Sequence, residues 1–496
     1  MQMNRRTFLG AAAAAGAAVS VVPRRVLGGA KHVPPSETIH VGYVGCGTQG
    51  LRNLMGALPN TNLRVIAVCD PNRRSDDYPQ WGRDELNGKI RTFIGDPGWA
   101  KGIAGGRCGR EVGLKVVSTY YARAKRGGDP HAYADFREML DKETDLDAVY
   151  NMTPDHLHGT VVVRAMRAGK HAITHKPVAN VLAEVRLARD TARQTGAATH
   201  LFCTAGKHTT PTIREWVDAG AIGPVREVHN WSTRPFWPQG MTAFPSDTPP
   251  VPAGLDWDLW LGPVPPRPYH PAYTHAVFRG WYDFGTGALG DMGHYSFYQI
   301  FRILDLGTPL SVDAGRSQFW AIENYGWHKQ VNRVSFPRAS TIRWEFPARG
   351  KKPPVALTWY DGGMRPPLPK ELEADGEDLP NEGLLLVGDT GKILAGFSGD
   401  RPRLIPKAAM QAFRPPAKTL PRPIGELDQW VRGIRGDQPS DASFENVYPL
   451  AETILLGAVA VRAEKKLFWD TDKMTFTNDA AAGKLLTRTY RDGWEL

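Results

Sequence analysis

The chain has 496 residues, enough for two or three domains, and its 42% hydrophobic and 23% charged content is that of an ordinary globular protein. The formal net charge is +10, but Arg5, Arg6, Arg24 and Arg25 fall in the first thirty residues and the remaining bases are interspersed with acids. No dense basic block and no reading module accompany that charge, which argues against nucleic acid as a partner and leaves a modest pull on anionic substrates or cell-surface polymers.

At the N-terminus, Asn4-Arg5-Arg6-Thr7-Phe8-Leu9 leads into an Ala-rich apolar stretch ending at Val22, then Pro23 and the small residues Gly28-Gly29-Ala30. Twin arginines, a short apolar region and a small-residue cleavage site resemble a Tat export signal. The apolar run is shorter than the ~20 residues a bilayer span needs, and no other stretch reads as a stable span. Residues 1–30 are therefore expected to be a signal peptide that sends a folded, cofactor-loaded protein to the periplasm or exterior. Cys46, Cys69, Cys108 and Cys203 do not form a disulfide framework and suit folding in a reducing compartment first.

Residues 37–45 read as a buried strand, residues from Gly47 to Leu58 as a helix, and Leu63 to Val68 as a second strand, the opening of a doubly wound domain. Residues 73–131, rich in Gly, Arg and Trp, interrupt the pattern and are expected to be an insertion. The pattern resumes at Tyr133–Leu140, which precedes a strand at Ala148–Asn151; a helix near 157–169 and a strand at His171–His175 follow. From Ala179 the texture changes. Helices at 180–195 and 210–219 are followed by strand-like stretches at Val225–Ser232, Ser340–Phe346, Val355–Trp359 and Leu384–Val387, with prolines clustered in long loops between them. The expected class is α/β: a Rossmann domain over 37–177, then an α+β substrate domain over 178–496 with an open, largely antiparallel sheet.

Gly45-Cys46-Gly47-Thr48-Gln49-Gly50 fits G-x-G-x-x-G after an apolar strand and before a helix, with Asp70 at the end of the second strand. Its glycines let the backbone approach a pyrophosphate at the helix N-terminus. Asp70 suits a ribose 2′-hydroxyl and repels a 2′-phosphate, favouring NAD over NADP, although Arg73 and Arg74 stand close by.

Asn151-Met152-Thr153-Pro154-Asp155-His156-Leu157-His158 and Thr174-His175-Lys176-Pro177 resemble elements of the Gfo/Idh/MocA oxidoreductases, as do Trp281 to His294 and the closing Arg491-Asp492-Gly493-Trp494. The resemblance covers nearly the whole mature chain and is greatest to the exported, sugar-associated branch. It implies that Thr153, Pro154, His156, His175, Lys176 and Pro177 line the nicotinamide end of the cofactor site. It also implies catalytic roles for Lys176, Asp291 and His294, the lysine stabilising a forming alkoxide and the Asp–His pair serving as acid and base. Two departures stand out. His175 replaces the family's usual glutamate, and His294 follows Asp291 by three residues rather than four, with Tyr295 in the fourth place; on a helix both spacings return to one face.

No third or fourth ligand at metal spacing joins His156 and His158 or Asp291 and His294, and no G-x-S-x-G elbow is present. The expected function is an NAD(P)-dependent oxidoreductase of a carbohydrate or polyol, working as a homo-oligomer with a tightly held cofactor. The alternative is an NAD-dependent glycoside hydrolase that oxidises, eliminates and returns the hydride. Export favours either, because a dissociated cofactor has no obvious pool outside the cytoplasm to re-oxidise it.

Overall fold

The computed structural model describes residues 37–203 and 209–496, so the expected signal segment lies outside the described residues. The first unit opens with β1 (Ile39–Val44), α1 (Thr48–Ala57) and β2 (Leu63–Cys69). An added unit follows, in which β3 (Ser75–Tyr78) pairs antiparallel with β4 (Gly106–Cys108) around α2 (Glu85–Ile94). The chain then forms α3 (Arg110–Ala124), β5 (His131–Tyr133), α4 (Phe136–Lys142), β6 (Ala148–Asn151), α5 (Asp155–Arg167), β7 (His171–His175), α6 (Leu182–Thr195) and β8 (Thr199–Phe202).

Six of these strands make a parallel sheet in the order β5-β2-β1-β6-β7-β8. Its central strands are buried on both faces, as helices on either side require; β6 is Ala-Val-Tyr-Asn with every residue covered. The strand order reverses between β1 and β6, and the crevice beyond their carboxyl ends is where such sheets bind ligands.

Two boundaries differ from the sequence reading. α3 and β5 are the ordinary crossover helix and outer strand of the sheet, so the added unit spans about 75–108 rather than 73–131. β5 escaped notice because it is three residues long and its His131 and Ala132 are exposed, leaving no apolar run to read. The sheet also continues past residue 177, since β8 pairs parallel with β7.

The second unit contains α7 (Thr209–Asp218), β9 (Val225–Trp231), α8 (Trp257–Leu261), α9 (Gly287–Leu304), β10 (Ser311–Arg316), β11 (Phe319–Glu323), β12 (Gly326–Gln330), β13 (Ser340–Phe346), β14 (Val355–Tyr360), β15 (Gly383–Gly388), β16 (Lys392–Ala395), β17 (Arg403–Ile405), α10 (Glu426–Ile434), α11 (Phe444–Ala463), β18 (Leu467–Asp470) and β19 (Thr475–Phe476). Nine strands form one sheet, β17-β16-β15-β9-β14-β13-β10-β18-β19. It is antiparallel except for the β9–β14 pair.

Alternation sets its two faces: in β13, Ile342, Trp344 and Phe346 are buried while Arg343 and Glu345 are exposed. The apolar face packs on α9 and α11, with Phe297 edge-on to both Trp344 and Trp359. α11 is long and apolar enough to cross a membrane, but 78% of its apolar window is buried inside the protein, which makes it a core helix.

The two units share cores. Trp430 of α10 packs beneath β1 and β6, and Trp494 near the C-terminus packs against Phe136. Most tryptophans are therefore core; Trp81 and, on the β11–β12 hairpin, Trp320 and Trp327 are the exposed ones among the described residues.

Candidate active site

The site lies where β1, β2, β6 and β7 end. Gly45 leaves β1 with φ of +101°, and a Cβ there would sit 2.5 Å from the carbonyl of Met152, so only glycine fits. A Cβ on Gly50 would lie 2.1 Å from Gly45 O. Gly47 differs: it begins α1 without a side-chain cap, and a Cβ there would meet nothing nearer than the Tyr78 ring at 3.4 Å. The first turn of α1 therefore presents backbone N–H groups with no side-chain acceptor to the cleft, the arrangement that receives an anion. This glycine cradle fits a dinucleotide's pyrophosphate.

Asp70 faces the same cleft but already has work to do. Its Oδ2 accepts from Cys46 N at 2.6 Å and its Oδ1 from Asn72 N at 2.8 Å, so it props the glycine loop while presenting its remaining lone pairs. Burial pushes its carboxyl above the usual range, opposed by those two N–H donors. Thr48, Gln49, Thr153, Pro154 and His175 line the cleft with the glycines.

His156 does not line the cleft. Its ring lies beneath Trp260 and Phe284, with Nε2 on Trp260 O at 2.8 Å and Nδ1 unpartnered, and burial pushes it down to about 3, so it is a neutral core residue. His158, two residues on, lines the cleft instead. Its Nδ1 lies 2.5 Å from Pro177 O and its Nε2 2.7 Å from Thr153 O, tying the two cofactor-side loops together.

Beside the cleft, which His175 and Arg279 help to line, the chain assembles a charged cluster from two units. Lys176, at the end of β7, is almost fully buried and its Nζ pairs with Asp291 of α9. Asp291 Oδ1 also accepts from Arg279 Nε at 2.8 Å. Burial pushes the lysine's pKa down and Asp291 works against it; burial pushes the Asp291 carboxyl up, but Lys176 and Arg279 outweigh it and hold it below the usual range. Lys176 Nζ stands 5.0 Å from the centre of the Tyr295 ring, and the Tyr295 hydroxyl lies 3.2 Å from His175 Nε2. Burial raises the tyrosine's pKa and lowers that of His175, so a neutral phenol faces a neutral imidazole.

His294 points elsewhere. Asp291 and Tyr295, four apart on α9, are partly exposed, whereas His294 is fully buried on the core side with Nδ1 donating to Gly290 O at 2.7 Å. Its Nε2 has no partner, and burial pushes the ring down to about 3. The shortened spacing thus puts Tyr295, not His294, beside the lysine. Arg279 was missed in the sequence because nothing local marks it; its partner Asp291 is twelve residues on and beyond a turn.

The profile of the oxidoreductase family's C-terminal α/β domain matches residues 211–331 and 358–496, and that of its NAD-binding Rossmann fold matches residues 115–202. The chain belongs to the Gfo/Idh/MocA oxidoreductase family. Among curated relatives, a dTDP-3,4-didehydro-2,6-dideoxy-alpha-D-glucose 3-reductase of Streptomyces violaceoruber is 40% identical over 92 residues, covering 18% of this chain and 26% of that protein. A glycosyl hydrolase family 109 protein of Shewanella pealeana is 25% identical over 209 residues, covering 39% of this chain and 38% of that one. The matched segments thus span less than half of each relative. Among solved structures, the WlbA dehydrogenase from Bordetella pertussis, in complex with NADH and UDP-GlcNAcA, superposes with a TM-score of 0.52 at 13% identity over 87% of this chain and 99% of that chain, a likeness of fold.

Proposed function

We propose that the protein is an NAD-dependent oxidoreductase of a carbohydrate or polyol that keeps its cofactor bound through the cycle. One observation carries the reading: the Lys176–Asp291 pair and the Tyr295–His175 pair adjoin the cleft through His175 and Arg279, which line it together with the glycine cradle. When bound, the nicotinamide exchanges a hydride with a carbon of the sugar.

The chain's residues manage the proton and the charge. Tyr295 accepts the proton of the substrate hydroxyl as its own passes to His175 Nε2, which ends as an imidazolium. Lys176 holds the oxygen's developing negative charge, and Asp291 with Arg279 fixes the lysine's position. The sugar class is supported by the names of the relatives, and export of a loaded enzyme by the twin-arginine segment.

The test starts from protein purified without added nucleotide. Denaturation should release NAD(H) near one per chain, and a panel of sugars should turn over with no added cofactor. A protein that releases no nucleotide and binds none when it is supplied defeats the proposal. The similarity to a family 109 protein keeps a second reading in play, in which the oxidation is transient and a glycosidic bond is cleaved. Release of aglycone from a chromogenic glycoside, with no net NADH formed, selects it.

A further inference from the structure

The nucleotide cleft is also lined by side chains that no dinucleotide fingerprint names. Tyr78 ends β3 of the added unit, and its ring covers Gly47 at van der Waals distance. Its hydroxyl accepts from Asn72 Nδ2 at 3.1 Å, which ties the ring to the same loop that carries Asp70. Facing it from the second unit is His275, with ring centroids 3.6 Å apart and planes inclined at 38°. His275 Nε2 lies 3.2 Å from Asp77 Oδ1, and this contact holds the Asp77 carboxyl well below its usual range.

Two further observations tie the contact to the site. His275 has φ of +55°, a left-handed conformation that is strained for a non-glycine residue and persists only where surroundings hold it. It also begins the turn His275–Gly280 that delivers Arg279 to Asp291, so the closing contact and the charged cluster share one short segment. The partly open cleft that Tyr78 and His275 help to line holds about 100 Å³. Sites for drug-sized ligands enclose ~300–1,000 Å³. Lining side chains must therefore move to admit a dinucleotide, and Tyr78 and His275 are a ring pair that spans the lining from one unit to the other.

We propose that Tyr78, Asp77 and His275 form a latch across the nucleotide cleft, which opens for exchange of the dinucleotide and makes its release slow. The proposal rests on the reading of the cleft as a dinucleotide site. It gives the added unit a role in holding the cofactor, with Tyr78 as its nucleotide-facing residue.

The test uses the full chain loaded with NADH and chased with excess NAD, with release followed by NADH fluorescence. Tyr78→Ala and His275→Ala should each speed release at least tenfold, and the double variant should release no faster than the quicker single, because the pair acts as one closure. Asp77→Asn, an exposed change that leaves the fold alone, should speed release several-fold and keeps the test valid if either alanine variant misfolds. Release from correctly folded variants as slow as from wild type overturns the latch while leaving the cleft assignment standing. Wild type that binds no NADH overturns both.

Discussion

Asp291→Asn isolates the electrostatics of the cluster, because it keeps the side chain's shape and removes its charge. In the wild type one carboxylate balances two cations, with side-chain exposures of 13% for Asp291, 2% for Lys176 and 19% for Arg279. Removing one partner of a buried pair costs about 3–5 kcal/mol, since the other charge is left uncompensated. Asparagine still offers an amide oxygen, so a loss of about 3 kcal/mol is expected. Urea unfolding at pH 7, followed by intrinsic fluorescence, measures it. The decisive comparison is a cycle with Lys176→Met: the double variant should lose less than the sum of the singles, because it no longer buries an unpaired ammonium. The pH dependence follows from the lowered carboxyl of Asp291. Above the unfolded pKa of about 4 its contribution is complete. Below that, the unfolded chain takes up a proton that the native state refuses, and stability drains at about 1.4 kcal/mol per pH unit. Wild type should therefore lose stability more steeply than Asp291→Asn as pH falls below 4. Additive single losses together with parallel pH profiles would refute the charge balance.

The parts of the site that the sequence made legible are those built by local rules. A glycine loop between an apolar strand and a helix declares itself, because the backbone geometry at Gly45 and Gly50 admits nothing else. The antiparallel second sheet was readable from alternation such as Ile342-Arg343-Trp344-Glu345-Phe346, where one face must be buried. The contents of the cluster were legible only as neighbours in a motif. Whether His294 or Tyr295 faces the lysine depends on the rotation of α9 about its axis. That rotation is fixed by packing against α11, where Gly293 meets Ile454 and Leu289 meets Gly457, contacts more than 150 residues apart in sequence. His156 and His158 illustrate the same limit: two steps apart on α5, they point to opposite environments, and only the position of Trp260 decides which is core. Arg279 and His275 carry no motif because their partners, Asp291 and Asp77, come from other elements.

Tyr295→Phe should lower turnover about 10²- to 10⁴-fold with thermal stability unchanged, as expected when a proton-transfer group is lost; wild-type turnover in that variant would return the role to another residue. His294→Ala should do the reverse, costing stability through its lost Gly290 bond and the cavity it leaves while folded molecules keep most of their activity, as calorimetry and specific activity together would report. The glycine loop offers the sharpest contrast. At Gly45 a methyl group collides with the Met152 backbone at 2.5 Å and φ is +101°, so Gly45→Ala should fail to fold. At Gly47 φ is −75° and a methyl touches only the Tyr78 ring, so Gly47→Ala should keep wild-type stability to within about 0.5 kcal/mol. That same methyl, however, projects over the uncapped start of α1, where a pyrophosphate has to approach the backbone. NAD affinity measured by titration calorimetry should fall at least tenfold in a protein that melts like wild type. Undiminished affinity in folded Gly47→Ala would mean that the pyrophosphate does not bind at this loop, whatever else the cleft holds.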